Sequence, residues 1–285
     1  MRLTPLVALF SALAVARADE PSIIAKARAY LGPEDTLSAV TSVHLSGSFV
    51  SGDAAGVQTP STTGTVDIVF QRPWQHHMTF TAVQSLGGAP GAAGKRTVVR
   101  TIALDDYDAW ERVQVDSNLP SLNLLSVDQI RVLRADVWEN LGYFRGIEAT
   151  GGSVEDQGAA VIEGVACEKI AFIHSPTVVY YRYFDKETGR LVYTETASGL
   201  TIREQGTIIA GGIKFPQKIV TVEPARQGAA PKSTVLTLDR VSVNDSFPPG
   251  LFAVPLPPVP SRPRILPPVG LGSGPFVKPP QAAAP

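Results

Sequence analysis

The 285-residue sequence is poor in the residues that most often carry chemistry, because it has one cysteine, Cys167, and only four histidines. A single cysteine excludes an intrachain disulfide, a CxxC redox pair and a multi-thiolate metal site. We therefore expect Cys167 to be a small buried apolar residue. The two adjacent histidines, His76 and His77, fall in a predicted strand and point to opposite faces, so solvated or edge positions are expected for them.

An excess of charge of either sign is also missing. The 25 basic and 26 acidic residues give a formal charge of -1 and are spread along the chain. A protein that binds a phosphate backbone needs a basic surface, so a nucleic-acid partner is not expected.

Recognised catalytic motifs are absent from the sequence, which contains neither G-x-S-x-G nor HExxH. The acidic run Asp105, Asp106 and Asp108 lies between two predicted strands, where turn formation is the simpler explanation than cation binding. We therefore predict a protein that is not an enzyme, with no catalytic residue, no metal ligand and no cofactor.

The first 18 residues form the clearest positive signal. Arg2, an apolar run from Leu3 to Ala14 and the small-residue site Ala16-Arg17-Ala18 predict an export signal that is cleaved after Ala18. The apolar run is shorter than the roughly 20 residues that a membrane-spanning helix needs. The mature protein would begin at Asp19, which is not the cysteine of a bacterial lipoprotein. A soluble, exported, periplasmic protein without a lipid anchor is therefore expected.

The rest of the chain is mostly strand by pattern. Helical spacing predicts helices over 21–31 and 34–40, and the capping box that begins at Ser126 predicts an internal helix that ends at Gly142. Alternation of apolar and polar residues predicts strands over 43–49, 66–71, 75–83, 96–104, 109–115, 166–173, 177–184, 191–196, 201–210, 215–223 and 234–243. A flexible loop is expected over 85–94, and Gly189 is placed for the turn of a hairpin over 185–190.

Proline dominates the C-terminal end, where 11 of the 31 residues from Pro255 onward are proline. Such a composition does not build a packed core, so a disordered or polyproline tail is predicted. The domain organisation is thus a signal over 1–18, one domain over 19–254 and a tail over 255–285. The tail is either a solvated spacer or a segment that docks on an envelope partner.

This order of elements predicts the fold class. One long antiparallel sheet with helices on a single face must curve to hide its apolar side. We predict a mainly β (α+β) fold: a strongly curved, incompletely closed half-barrel whose helices cover the concave apolar face and leave room for an apolar cavity.

Seven landmarks over residues 22–255 resemble the outer-membrane lipoprotein-sorting proteins of the LolA and LolB superfamily. They are the early helix that ends at Gly32, Arg72-Pro73, the segment from Asp105 to Trp110, Gly164 to Lys169, Tyr183-Phe184-Asp185 with Thr188-Gly189, Gly212 to Pro216, and Asn244-Asp245 followed by Leu251 to Pro255. The resemblance implies a soluble, monomeric carrier that takes acyl chains of a lipoprotein or lipid and touches membranes only transiently. An inner-membrane release complex and an outer-membrane acceptor are implied partners.

The resemblance also implies site residues. Arg72 matches an arginine that holds the helical lid of the soluble carriers, so it is the predicted lid latch; a plain strand-end arginine is the alternative. The predicted cavity lining is Val66, Ile68, Phe70, Phe80, Ile102, Trp110, Ile130, Leu133, Val137, Tyr181 and Tyr183, for each of which ordinary core packing is the competing explanation. Two other functions stay open: an envelope sensor of the same fold that signals to a membrane partner, and a protein with a filled core that binds no lipid.

Overall fold

The structure is a computed structural model that describes residues 20–54, 62–85, 94–225 and 230–255. The predicted signal over 1–18, most of the predicted loop over 85–94 and the tail beyond Pro255 lie outside the described residues. The described residues up to Val254 belong to one compact unit. The domain limits proposed from the sequence remain predictions.

Two short helices open the described chain. Helix α1 spans Ser22–Leu31 and α2 spans Glu34–Ser38, and each is preceded by a proline rather than by a capping side chain. Ser22 is the first residue of α1, and Pro21 occupies the cap position without a side-chain hydrogen bond. The connection through Gly32-Pro33 is tight, because a Cβ on Gly32 would lie 2.9 Å from the carbonyl oxygen of Gly212.

Six strands follow and lead into the long helix α3, which spans Val127–Leu141. The capping box is present: the Ser126 hydroxyl accepts from the Gln129 amide, and the Gln129 side chain accepts from the Ser126 amide. The strands are β1 (Ser42–Asp53), β2 (Thr62–Gln71), β3 (Gln75–Ser85), β4 (Lys95–Asp105), β5 (Asp108–Val115) and β6 (Ser121–Leu124).

Nine strands follow α3. They are β7 (Ser153–Ile162), β8 (Val165–Ser175), β9 (Val178–Asp185), β10 (Leu191–Thr196), β11 (Thr201–Gln205), β12 (Ile208–Ala210), β13 (Ile213–Phe215), β14 (Lys218–Glu223) and β15 (Lys232–Val243). The strand predicted over 201–210 is in fact two, because Gly206 turns the chain with a φ of 67°. The strand over 215–223 is likewise divided after Phe215, and β12 and β13 form a separate two-stranded ribbon.

Thirteen strands form one antiparallel sheet with β6 at one edge and β7 at the other; its order is β6-β5-β4-β3-β2-β1-β15-β14-β11-β10-β9-β8-β7. The two edge strands do not pair, so the sheet is not closed into a barrel. Helix α3 lies between β6 and β7 in the chain and therefore has to cross one face of the sheet from edge to edge. We call this the inner face. The predicted fold class, an open antiparallel sheet with helices on one face, is confirmed.

Two hydrophobic clusters lie between α3 and the inner face. The apolar cluster joins Leu133, Val137 and Leu141 of α3 to strands β1 and β2. The aromatic cluster joins Ala135 and Trp138 of α3 to α1, β8 and β9, and includes Phe144, Phe172, Tyr180 and Phe184. Because both contain residues of α3, that one helix covers two different surfaces.

The hairpin between β9 and β10 fixes α1 beside the aromatic cluster. Gly189 has a φ of 76°, as its position in the predicted turn requires. A Cβ at this position would lie 2.6 Å from the backbone carbonyl carbon of Lys26, which excludes larger residues. The Lys26 ammonium in turn donates to the carbonyl oxygen of Lys186, 2.7 Å away.

Candidate functional site

Eight of the eleven predicted lining residues lie together between the inner face and α3. Five are buried in the apolar cluster, and three are partly buried against it. The five are Val66, Ile68, Phe70, Leu133 and Val137; the three are Phe80, Ile102 and Ile130. The structure therefore gathers these side chains at one surface beneath α3, where they pack against each other.

The other three, Trp110, Tyr181 and Tyr183, lie on the outer face, so their assignment to the concave surface is wrong. The Trp110 indole donates to the carbonyl oxygen of Phe252 at 2.9 Å. The Lys169 ammonium lies 4.4 Å from the centre of the Tyr181 ring. In strand β9 the alternate residues, including Tyr180 and Arg182, face α3 instead. Strand β9 carries aromatic side chains on both faces, so the alternation of apolar and polar residues does not show which of them face α3.

His76 is buried, which corrects the expectation of a solvated or edge position. His76 is 2% exposed, and its ring stacks on the Phe70 ring with the two centroids 4.8 Å apart. Neither ring nitrogen has a hydrogen-bond partner in the described structure. Burial, and to a lesser extent the charge of His77, lowers the pKa of His76 to about 3, so its imidazole is neutral near pH 7.

Arg72 joins the sheet to the C-terminal end of α3 and to the segment between α2 and β1. Its Nε donates to the carbonyl oxygen of Val40 at 2.9 Å, and its Nη2 donates to the carbonyl oxygen of Leu141 at 2.6 Å. Leu141 is the last residue of α3, where carbonyls lack helical partners. These contacts have the geometry expected for a latch on α3, while the release of that latch stays a prediction.

A second arginine, Arg28 of α1, holds the same end of α3. Its Nη1 donates to the carbonyl oxygen of Tyr143 at 2.6 Å and, more weakly, to that of Gly142 at 3.2 Å. Its Nε and Nη2 donate to the two carboxylate oxygens of Glu34. The hydrogen bonds to Arg28 are the main cause that lowers the Glu34 pKa. Two guanidinium groups therefore bind the C-terminal end of α3.

An ionic network lies beside the aromatic cluster. The Glu139 carboxylate forms an ion pair with Arg182, and its other oxygen lies within hydrogen-bond distance, 2.6 Å, of Nε2 of His174. One helical turn earlier, Asp136 accepts from the Tyr180 hydroxyl at 2.6 Å. Burial raises the Asp136 pKa to about 6, although that hydrogen bond acts in the opposite direction. Sequence patterning missed these residues; the available signal was two acids on a helix predicted to cover an apolar sheet.

A cavity of about 280 Å³ opens between α1, the C-terminal end of α3, β9 and the β12–β13 ribbon. None of the predicted lining residues borders it. Its apolar wall includes Ala27, Leu31, Phe144, Leu191 and Phe215, and its charged groups are Glu139, Arg182, Arg190, Glu204 and Lys214. Leu31 packs against both clusters, Tyr143 is a member of the apolar cluster, and Phe215 packs against it. The cavity therefore shares three of its lining residues with the apolar cluster or its surroundings.

Across the described ranges, no group of three or more His, Cys, Asp or Glu side chains is placed to hold a metal ion. Within the same ranges, no helix has the length and apolarity needed to cross a bilayer. Asp106 has a φ of 56° in the turn between β4 and β5 and accepts from Arg134 of α3. Asp106 of the acidic run thus helps to form the turn and to hold α3 in place.

The fold and site define a class of protein: an open antiparallel half-barrel with a helix laid across its inner face and pinned at one end by arginines. A LolA superfamily protein from Nitrosomonas europaea is similar, with a TM-score of 0.50 at 13% identity over 82% of this chain and 96% of that one. The predicted resemblance to the LolA superfamily is thus confirmed at the level of the fold.

Two further solved structures show weaker likeness. A DUF1329 family protein from Desulfovibrio piger has a TM-score of 0.47 at 8% identity, covering 81% of this chain and 95% of that one. A domain described as an outer membrane lipoprotein-sorting protein, from Vibrio parahaemolyticus, has a TM-score of 0.47 at 11% identity, covering 81% and 94%. No family model and no curated protein matches the sequence.

Proposed function

We propose that this protein is a periplasmic carrier that binds the acyl chains of a lipoprotein or lipid beneath α3 and passes them between envelope membranes. The observation that carries the proposal is the lid: a single helix covers an apolar surface, and its C-terminal end is held by Arg72 and Arg28 through backbone carbonyls. The predicted export signal and the LolA-like fold support the envelope location.

The energetics suit reversible loading. Each methylene moved from water into an apolar site contributes roughly 0.8 kcal/mol, so a chain of about 16 carbons gains on the order of 12 kcal/mol. An acyl chain has to displace α3 to reach the apolar cluster, which breaks hydrogen bonds between charged donors and carbonyls that are worth about 1.5 to 3 kcal/mol each. Displacing α3 also gives up the buried contacts of Leu133, Val137 and Leu141, so gain and cost are of similar size and loading is reversible.

The first test is native mass spectrometry with lipid extraction, on protein exported to the periplasm of a bacterial host and purified without detergent. We expect a bound acyl species. Apo protein that also fails to take up a fluorescent fatty acid contradicts the proposal and leaves the filled-core alternative.

A matched pair of variants locates the binding surface. Ile68→Asp places a charge in the apolar cluster, and Val161→Asp makes the same change at a position that is 70% exposed on the edge strand β7. We expect Ile68→Asp to abolish uptake of the fluorescent fatty acid and Val161→Asp to retain it. Circular dichroism and a cooperative unfolding transition establish that both variants are folded before they are compared.

Two more measurements separate a carrier from a sensor and test the latch. Loaded protein mixed with acceptor vesicles transfers its fluorescent fatty acid if it is a carrier, whereas a sensor retains it. Arg72→Met removes the hydrogen bond to Leu141 at the end of the lid, together with the one to Val40, so we expect loading to become faster. Arg112→Met, at an exposed arginine whose guanidinium has only a 3.5 Å side-chain contact, is the control and leaves the loading rate unchanged.

A further inference from the structure

The cavity beside the ionic network contains cationic groups that lack a full set of partners. Arg182 is 8% exposed, and its guanidinium forms one ion pair, with Glu139. That carboxylate is shared with His174, so it is not dedicated to Arg182. Among the described residues, Nε of Arg182 has no hydrogen-bond acceptor. A buried guanidinium has five N–H donors, and donors left unsatisfied are costly.

The other charged side chains at the cavity also give an excess of cationic groups. Arg190 and Lys214 border it, so three cationic side chains face two carboxylates, Glu139 and Glu204. The Lys214 ammonium lies 4.2 Å from the centre of the Tyr30 ring and has no carboxylate partner in the described structure. The cavity therefore carries more positive than negative charge.

The dimensions of the cavity limit what fills it. Its volume of about 280 Å³ corresponds to about nine water-sized groups. That is room for an acidic head group and about the first six carbons of a chain. Leu31, Tyr143 and Phe215 border the cavity and also belong to or pack against the apolar cluster, so the rest of a longer chain would be buried on that side.

We propose that this cavity binds the anionic head of an acyl ligand, with the head group on Arg182 and the chain directed toward the apolar cluster. This inference rests on the proposed function and adds a chemical class to it: the favoured ligand carries an acidic head, either the carboxylate of a free fatty acid or the phosphate of a phospholipid. The guanidinium binds both, because its fork of donors matches both geometries.

Isothermal titration calorimetry with decanoate, decanol and decyl phosphate tests the inference on the full chain. We expect decanoate to bind about tenfold more tightly than decanol, the neutral compound of equal chain length. Equal affinities overturn the anion site and leave acyl binding intact, whereas absence of binding by all three overturns the proposed function as well. Decyl phosphate binding more tightly than decanoate identifies a phosphate head, and the reverse order identifies a fatty acid.

Variants assign the preference to this cavity. Arg182→Met removes the preference for decanoate, and Arg182→Lys restores part of it. Because loss of Arg182 leaves Glu139 short of a partner, Glu204→Gln provides a test that keeps the network intact. It should raise the affinity for decanoate about fivefold and leave decanol unchanged, because a nearby carboxylate no longer opposes the anion. Glu223→Gln, at an exposed position, is the matched control; equal effects of the two glutamate variants overturn the inference.

Discussion

Helix α3 covers two surfaces that are stabilised by different forces. Over β1 and β2 it meets the apolar cluster, where the buried polar ring of His76 has no hydrogen-bond partner in the described structure. Over β8 and β9 it meets aromatic rings and the ionic network of Asp136, Glu139, His174 and Arg182. Hydrophobic contact is non-directional and adapts to a new occupant, whereas ion pairs fix one geometry. A lid of this kind can therefore give way over the apolar cluster.

The largest predicted effect comes from a substitution that breaks the ionic network. Glu139→Ala leaves Arg182 and His174 buried without their shared carboxylate. Removing one partner of a buried ion pair typically destabilises a protein by about 3 to 5 kcal/mol, because the remaining charge is uncompensated. We expect a loss of that size in the free energy of unfolding, measured by urea denaturation of the full chain at pH 7.

The control for Glu139→Ala lies on the same helix. Asp128 forms an ion pair with Arg131 at 2.7 Å, but the Asp128 side chain is 86% exposed. Exposed pairs contribute about 0 to 1 kcal/mol, so Asp128→Ala should leave the urea midpoint almost unchanged. Similar losses in the two variants would show that the network does not hold α3.

Much of the fold was predictable because it depends on local pattern. The capping box at Ser126 and the alternation through Val66, Ile68 and Phe70 each specify an element and its buried face. Strands β6 and β7 were missed, because edge strands expose most of their residues and so carry no clear alternation. The break at Gly206 depends on a backbone conformation that glycine permits but does not dictate.

The next largest predicted effect appears only when the pH is no longer acidic. It concerns the side of α3 that faces the aromatic cluster. The Asp136 pKa is raised from 3.8 to about 6 in the folded protein. Its contribution to stability is therefore full below pH 4 and is lost as pH rises through 6. Asp136→Asn keeps an acceptor for Tyr180 and removes this loss. We expect the variant to match the natural protein at pH 4 and to exceed it by on the order of 3 kcal/mol at pH 8.

Chemical unfolding from pH 4 to pH 8 measures this difference between the two proteins. Effects of all other titrating groups are common to both and cancel when the two curves are subtracted. A difference in stability that does not change with pH would mean that burial beneath α3 does not raise the Asp136 pKa.

The apolar side of α3 should respond to pH in the opposite direction. The pKa of His76 is lowered from 6.5 to about 3, so its contribution to stability is full above pH 6.5 and is lost as pH falls toward 3. His76→Leu removes an unpartnered polar ring and should stabilise the protein by about 1 kcal/mol at pH 7.5. At pH 5 the gain should grow by about 2 kcal/mol.

The same pH series measures both variants, so the slopes of their difference curves can be compared directly. Opposite slopes confirm that acidification weakens the apolar side of α3 and strengthens the aromatic side. A flat curve for His76→Leu would place the imidazole in contact with water.

The candidate site was less predictable than the fold. Eight lining residues follow from patterns within single elements, but the cavity is formed by residues from α1, α3, β9 and the β12–β13 ribbon that are far apart in the sequence. The pairing of Glu139 with Arg182 spans 43 positions and depends on how α3 crosses the sheet. No local pattern in either segment carries that information.

The smallest effect separates the two ends of α3. Ser126→Ala removes the capping hydroxyl at the end farthest from Arg72 and Arg28, and loss of a helix cap typically costs about 1 kcal/mol. We expect amide hydrogen exchange to accelerate over residues 127–131 and to stay slow near Trp138, where the aromatic cluster holds the helix. Ser121→Ala, in the exposed strand β6, is the control. Uniform acceleration along α3 would show that the helix leaves the sheet as one unit, so that the ionic network and the arginines would have to be released together for cargo to enter.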